Sequence, residues 1–113
     1  MSYLFHKDVF MPKSVSAPCY EGRLWYGNHS LQASLSDRYG EMTLPETFCA
    51  ANAELIESEF DGHRITKQVW RQSLDDERDI ILVLTPNGRV KTVWINLKSD
   101  QHRTLRRELY MRA

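Results

Sequence analysis

The chain has 113 residues, of which 42% are hydrophobic and 27% are charged, and its formal net charge at pH 7 is zero. This length predicts one domain, and these fractions are typical of a globular protein. A neutral chain exerts no overall attraction on nucleic acid, so any polyanion site has to come from locally concentrated charge. No apolar run approaches the roughly 20 residues that cross a bilayer, and the N-terminus lacks the basic start and apolar core of a signal peptide.

Cysteine and histidine positions argue against metal and disulfide chemistry. Cys19 and Cys49 are too few for a disulfide framework, which favours a reduced, cytoplasmic protein. The spacing of the four histidines does not match a metal-ligand pattern. The sequence also has no glycine-rich phosphate loop, no HExxH and no nucleophile elbow. We therefore expect no metal, no small-molecule cofactor and no membrane partner.

Residues 1–20 are predicted to form an N-terminal arm, and residues 21–113 to form a single domain. Pro12 and Pro18 forbid a long helix across the arm. Its apolar side chains indicate that it either packs on the domain or meets a partner. They are Tyr3, Leu4, Phe5, Val9 and Phe10.

A helix is predicted from about His29 to Tyr39, with Asn28 as its N-cap and Gly40 just after its end. Its apolar side chains fall at i, i+4 and i+8, a stripe that predicts a buried helix face. These side chains are Leu31, Leu35 and Tyr39. A second, short helical turn is predicted between Pro45 and Asn52.

Four strands are predicted in the second half of the chain, at 53–60, 63–74, 80–84 and 89–97. Asp61-Gly62 is a turn signal between the first two. Asn87-Gly88 predicts a type I′ hairpin between the last two, with Pro86 just before the turn. Short connections make an antiparallel meander the simplest topology. The predicted fold class is α+β, with an N-terminal helix, or two short helices, packed on a four-stranded antiparallel meander.

Charge is unevenly distributed along the neutral chain. Residues 41–62 hold six acidic side chains and no lysine or arginine, whereas residues 89–113 hold seven cations and two acids. This separation indicates either a polyanion site at the basic end or two regions that neutralise each other in the fold.

Polar and cationic side chains gather on the last predicted strand and in the segment after it. A metal-independent ribonuclease needs a base for the 2′-hydroxyl proton, an acid for the leaving 5′-oxygen, and cations for the transition state. Histidine is the best acid or base near neutral pH, and arginine and lysine supply the cations. The predicted catalytic residues are His29, His102, Arg103 and Thr104. The predicted nucleic-acid-binding residues are Arg38, Lys91, Thr92, Asn96, Lys98, Arg106 and Arg107.

Each of these assignments has a competing structural interpretation. His102 can be a surface residue of a polar segment, and His29 can cap or pack the start of its helix. The arginines between 103 and 112 can form a solvated face. Trp70 and Trp94 fit a hydrophobic core better than a surface on which nucleic-acid bases stack.

The order of these pieces resembles a known group of proteins. A helix with Asn-His-Ser-Leu and Arg-Tyr-Gly, then an antiparallel meander, then a polar run is similar to the small toxin-type ribonucleases of the barnase, colicin and RelE/ParE-like group. The resemblance covers about residues 24–110. It implies that His29 and Arg38 match the helix residues of that group. It implies that a second set matches the polar cluster at the end of the sheet: Lys91, Thr92, His102, Arg103 and Thr104.

Two functions are predicted on these grounds. The first is a toxin-like, metal-independent domain that binds or cleaves RNA. The alternative is a non-catalytic protein of a phage or mobile element that binds and modulates a host protein. The expected partners are accordingly RNA, or a protein such as an antitoxin, an immunity protein or a host enzyme.

Overall fold

A computed structural model describes residues 17–99, which form seven β-strands and one α-helix. In chain order the elements are β1 (Gly22–Arg23), β2 (Trp25–Tyr26), α1 (Asn28–Leu35), β3 (Thr47–Phe48), a 3-10 turn (Ala50–Asn52), β4 (Ala53–Asp61), β5 (Arg64–Ser73), β6 (Arg78–Leu84) and β7 (Arg89–Leu97). No helix in this part of the chain is long and apolar enough to cross a membrane.

The predicted fold class, an α+β domain with a helix on a four-stranded meander, is wrong. The described chain is mostly β, with 49% of residues in strands and 13% in helices. The four predicted strands do pair consecutively and antiparallel, but β2 adds a fifth strand to their sheet, in the order β2-β7-β6-β5-β4. β1 and β3 form a separate two-stranded sheet. The four-stranded meander is therefore one part of a larger β architecture.

The edge strand β2 is the element that sequence patterning missed. It runs parallel to β7, with Trp25 opposite Arg89 and Tyr26 opposite Val90. Two residues are too few to show the alternation that identifies a strand. The Tyr26 hydroxyl donates a hydrogen bond to the carbonyl of Pro45, and burial raises the pKa of Tyr26 to about 12.

One side of the main sheet, called here the first face, carries the larger hydrophobic core. Trp70 lies between Leu55 and Leu82 in the strand register, and its ring centroid is 4.9 Å from that of Phe48. Leu24 and Phe48, which come from the segments of the small sheet, close the core from above. The buried members are Leu24, Phe48, Trp70, Ile80, Leu82, Leu84, Val90 and Val93.

Helix α1 ends at Leu35, so the predicted end at Tyr39 is wrong, and its N-cap is Gly27 rather than Asn28. The reason for the early end lies in Asp37. Its Oδ2 accepts a hydrogen bond from the backbone N–H of Tyr39 at 2.9 Å, which forms a tight Asx turn. Its Oδ1 accepts from the backbone N–H of Ile95 at 3.0 Å, so the carboxylate also ties this turn to β7.

The helix presents the opposite face from the one predicted. Ser30 and Ser34 are buried, whereas Leu31 is 42% exposed and Leu35 is 78% exposed. The two buried hydroxyls donate to the carbonyls of Gly27 and Leu31 within the helix. Small side chains therefore let α1 approach β7 closely, and the leucine stripe points outward.

Two further local predictions are corrected. The segment from Pro45 to Asn52 is not one helical turn, because β3 occupies Thr47–Phe48 before the 3-10 turn begins. The β6–β7 turn is not type I′. Its hydrogen bond joins the N–H of Gly88 to the carbonyl of Thr85, so Pro86 is a central residue, and proline cannot adopt φ > 0.

The described end of the predicted arm, residues 17–20, lies against the domain, with Cys19 and Tyr20 packed on the first-face core. Gly88 has φ +88°, and a Cβ there would lie 2.6 Å from the Tyr20 ring. Glycine is thus required at Gly88 for two reasons: the backbone has a positive φ, and a side chain would collide with the Tyr20 ring. Burial raises the pKa of the Cys19 thiol to about 11.

Candidate functional site

The opposite side of the sheet, called here the second face, combines a small apolar cluster with charged side chains. Ile56, Val69, Ile81 and Val83 form the cluster, and Trp94 packs against it. These residues alternate with those of the first face along the strands, as the period of two requires. The second face carries the candidate functional site.

A cavity of about 210 Å³ opens on the second face between α1 and the sheet strands. It combines an imidazole, two ammonium groups, a hydroxyl and an indole above an aliphatic floor. The lining residues are His29, Lys67, Val69, Val83, Lys91, Thr92 and Trp94. This volume is below the roughly 300–1,000 Å³ of ordinary small-molecule pockets, so the cavity suits a small group or one unit of a longer ligand.

Irregular strand pairing places both lysines of the cavity. Val83 pairs with Thr92 but Leu84 pairs with Val90, so Lys91 is an extra residue in β7. An analogous shift in the β4–β5 pairing leaves Thr66 without a partner residue, next to Lys67. Extra residues of this kind bend a strand and re-aim its side chains. The sheet therefore directs Lys67 and Lys91 toward one cavity from two different strands.

The cavity keeps positive charge available. Lys67 lies 3.9 Å from a carboxylate oxygen of Glu59, and both side chains remain partly exposed. Such an exposed pair is weak and leaves the ammonium accessible. Among the ion pairs within residues 17–99, none involves Lys91. Two ammonium groups would thus attract an anion in the cavity, and the nearby carboxylate of Glu59 is already paired with Lys67.

A second cation and aromatic pair lies at the edge of this face. Trp25 is 49% exposed, and the Arg89 guanidinium lies 5.7 Å from the centre of its ring. Arg89 precedes Lys91 by two residues on β7, so the two cationic side chains lie close together along the strand. The edge therefore extends the basic and aromatic character of the cavity.

Three of the predicted site residues come together in this cavity: His29, Lys91 and Thr92. Three others lie elsewhere. The Arg38 guanidinium lies 5.0 Å from the centre of the Tyr39 ring, in the loop after α1, and Asn96 is fully buried further along β7. Lys98 belongs to a separate ionic network. The remaining predicted residues lie outside the described part of the chain: His102, Arg103, Thr104, Arg106 and Arg107.

That network occupies the far end of the second face. Arg71 Nε lies 2.6 Å from Asp79 Oδ2, and Lys98 Nζ lies 2.5 Å from Asp79 Oδ1. Arg71 also donates to the carbonyl of Leu97, and Lys98 donates to the Ser73 hydroxyl. Burial alone would raise the pKa of Asp79, but hydrogen bonds from Lys98 and Arg71 outweigh it and lower that pKa. Lys98 is thus a structural cation rather than a free one.

Sequence reasoning missed Lys67 as a site residue and assigned Trp94 to the core. Lys67 is the cross-strand partner of Glu59. The Asp61-Gly62 turn signal, which lies between these two residues in the sequence, is the one feature that indicates this pairing. The extra residue in β5 could not be placed without the structure. No signal in the sequence distinguishes Trp94, which packs on the apolar cluster and also lines the cavity.

The arrangement is suited to binding an anion that carries a flat, apolar group. Ammonium groups and a hydroxyl can hold phosphate oxygens, and an indole can stack on a base. His29 adds an imidazole, the side chain that most often serves as a general acid or base. Within residues 17–99, no group of three or more His, Cys, Asp or Glu side chains is placed to hold a metal ion.

Comparison with known proteins does not assign the chain to a family. No protein-family model, no curated protein and no solved structure matches this sequence or its fold. The resemblance to toxin-type ribonucleases therefore stays a prediction, and the geometry of the cavity is the basis for proposing a function.

Proposed function

We propose that the second-face cavity binds single-stranded RNA through one nucleotide unit. The observation that carries this proposal is the convergence of His29, Lys91 and Thr92 with Lys67 and Trp94 around one cavity. The cations and the hydroxyl face the phosphate, and the indole faces the base. Single-stranded nucleic acids are bound by this combination of cations and stacking surfaces because every base has a flat face.

Because the chain as a whole is neutral, the ammonium groups of the cavity determine the expected salt dependence of RNA binding. The two ammonium groups share the phosphate of one nucleotide, so we expect a slope of about −0.7 in a plot of log K against log salt. The interaction is therefore weak, local and moderately salt-dependent. A strongly basic surface would give a much steeper dependence.

Cleavage is the catalytic form of the same proposal. His29 can accept the 2′-hydroxyl proton, and an acid must then protonate the leaving 5′-oxygen. The predicted acid, His102, lies outside the described residues. Binding is therefore the part of the proposal that the cavity supports directly, and cleavage is a separate outcome of the test.

The test is a titration of a labelled single-stranded RNA with the full chain and with Lys91→Ala. Loss of one charge-assisted contact, worth about 1 kcal/mol, is expected to weaken binding about fivefold. The dependence of log K on log salt should also become shallower, because one cation fewer contacts the phosphate. Arg23→Ala is the matched control, because Arg23 is an exposed cation that does not line the cavity.

Equal affinity for RNA in the parent chain and Lys91→Ala would contradict the proposed site. Product formation by the parent chain that is absent in His29→Gln, with RNA affinity retained, would identify the cavity as catalytic. Binding without product in both would leave an RNA-binding site alone.

One observation favours the protein-binding alternative as a second proposal. Helix α1 exposes Leu31 and Leu35 at i, i+4, a spacing that fits an apolar groove of a protein partner. Leu31→Gln with Leu35→Gln should abolish capture of such a partner and leave RNA affinity unchanged. Unchanged capture by this double variant would remove the alternative.

A further inference from the structure

The edge of the second face carries a tryptophan that is exposed and yet fixed in place. Trp25 is 49% exposed, whereas Trp70 in the first-face core is 2% exposed. The backbone N–H of Trp25 donates to the carbonyl of Gly88 at 3.1 Å, and its indole Nε1 donates to the carbonyl of Asn87 at 3.4 Å. The β6–β7 turn thus holds both the main chain and the ring, so little side-chain entropy is lost when a flat group stacks on the indole.

Strand alternation puts this tryptophan on the same face as the His29 cavity. Trp25 lies opposite Arg89 in the parallel β2–β7 register. The residues that follow these two, Tyr26 and Val90, pack in the first-face core, and successive side chains of a strand point to opposite faces. Trp25 and Arg89 therefore share the second face.

The guanidinium of Arg89 lies beside both this indole and the start of α1. It is 5.7 Å from the centre of the Trp25 ring, within the roughly 6 Å of a cation–π contact. A Cβ placed on Gly27 would lie 3.6 Å from Arg89 Nη2. The first turn of α1 has no acidic residue, and in the part of the chain that the structure describes no ion pair involves Arg89. This cation is therefore available to contact an anion.

Two short stretches of backbone connect this edge with the cavity. Arg89 and Lys91 are two residues apart on β7, and two residues of strand span about 6–7 Å. Gly27 and His29 are likewise two residues apart at the start of α1. Successive phosphates of an extended nucleic-acid strand are separated by a similar length, so neighbouring nucleotides can occupy the edge and the cavity at the same time.

We propose that Trp25 and Arg89 form a second nucleotide subsite, adjoining the cavity, for the neighbouring unit of the same RNA strand. The base stacks on the Trp25 indole, and its phosphate contacts the Arg89 guanidinium. This inference rests on the proposed RNA binding in the His29 cavity, and it makes the bound unit a dinucleotide. The subsite takes any base, since every base has a flat face.

Two ligands that differ by one nucleotide test the proposal with the full chain. They are adenosine 5′-monophosphate and the dinucleotide pApA, both methylated at the 2′ oxygen so that the dinucleotide cannot be cleaved. We expect the parent chain to bind pApA about 50-fold more tightly, with about tenfold from stacking and about fivefold from the second phosphate. Titrations followed by NMR measure both affinities.

Substitutions at the edge separate stacking from charge. Trp25→Ala should weaken pApA binding about tenfold and Arg89→Ala about fivefold, and neither should change the affinity for the mononucleotide. Trp25→Phe, which keeps an aromatic ring, should retain most of the gain. On a longer single-stranded RNA the second phosphate contact should steepen the salt slope to about −1.4, and Arg89→Ala should return it to about −0.7.

The matched control is Arg64→Ala, which should leave both affinities unchanged. Arg64 is also an exposed arginine at the first position of a strand, β5, but it does not line the cavity.

The outcomes distinguish this subsite from the cavity itself. If Lys91→Ala weakens mononucleotide binding while the parent chain binds both ligands equally, the cavity is supported and the second subsite is wrong. A gain that survives Trp25→Ala, or a mononucleotide affinity that falls in Trp25→Ala, would also overturn the subsite. If the parent chain binds neither ligand, the proposed cavity and the subsite fail together.

Discussion

The two faces of the main sheet use the same strands for different purposes. On the first face, described segments of the chain close a core around Trp70 and Leu82. On the second face, the apolar cluster is smaller and is flanked by the Arg71–Asp79–Lys98 network and by the His29 cavity. The first face thus provides most of the stabilisation, and the second face leaves room for polar chemistry at its margins.

This difference explains why strand β6 has a continuous apolar sequence. Ile80, Leu82 and Leu84 serve the first face while Ile81 and Val83 serve the second. A strand buried on both sides needs no polar alternation. Beside this apolar run, charged side chains of the second face come from the neighbouring strands β5 and β7, as Lys67 and Lys91 do.

The largest effect is expected in the first-face core. Trp70→Ala should lower the free energy of unfolding by about 3–5 kcal/mol, because it leaves a cavity beside Phe48 and Leu82. Chemical denaturation of the two chains measures this difference. If Trp70→Ala lowered the free energy of unfolding by less than a second-face substitution does, the first face would not be the one that provides most of the stabilisation.

The next effect is expected in the ionic network of the second face. Asp79→Asn should cost about 3 kcal/mol at neutral pH, because it leaves the buried Arg71 guanidinium without its carboxylate. The pKa of Asp79 is lowered in the folded chain, so its contribution is present above the usual aspartate pKa of about 3.9 and is lost as the pH falls through the lowered value.

Stability measured from pH 7 down to pH 2 checks this prediction. The parent chain and Asp79→Asn should converge at the acid end of the range. A gap of constant size over the whole pH range would show that the charge of Asp79 is not what stabilises the fold.

A smaller effect tests the orientation of α1. Ser34→Leu should cost about 1–3 kcal/mol, because a larger side chain overfills the contact of the helix with β7. Leu35→Ser, one position further on, should change stability by less than about 0.5 kcal/mol, as an exposed site does. Thermal unfolding of both variants compares them, and the opposite ranking would restore the orientation predicted from the leucine stripe.

The smallest effect on stability is expected in the cavity itself. Lys67→Ala should change the free energy of unfolding by less than about 0.5 kcal/mol, because its pair with Glu59 is long and exposed. Its RNA affinity should nevertheless fall about as much as that of Lys91→Ala. A large loss of stability in Lys67→Ala would mean that this lysine belongs to the structure and not to a binding site.

The sequence predicts the strands β4 to β7 well because local signals mark them. Asp61-Gly62 and Asn87-Gly88 mark the turns, and the apolar run at β6 marks a buried strand. The β2–β7 pairing joins residues about 64 apart through two-residue contacts, which no local pattern can show. The face of α1 was misjudged because a leucine stripe normally outweighs serine in burial, whereas here close approach to β7 favours the small side chains.

The candidate site was predicted only in part for a related reason. His29, Lys91 and Thr92 were selected by residue type near the ends of elements, and the structure brings them together. Lys67 could be added only once the register of β4 and β5 was known. Arg38 was assigned to a helix that ends before it, because the part played by Asp37 depends on a contact with Ile95 that lies 58 positions away.

The carboxylate of Asp37 has a consequence for how this sheet can associate with others. It occupies the backbone N–H of Ile95 on the outer side of β7, next to the short strand β2. Among the described strands, β4 is the other margin of the sheet, and its pairing is irregular at two points. A strand of another molecule could not pair with the Ile95 N–H without displacing Asp37, so this carboxylate protects the β7 margin from strand-to-strand joining.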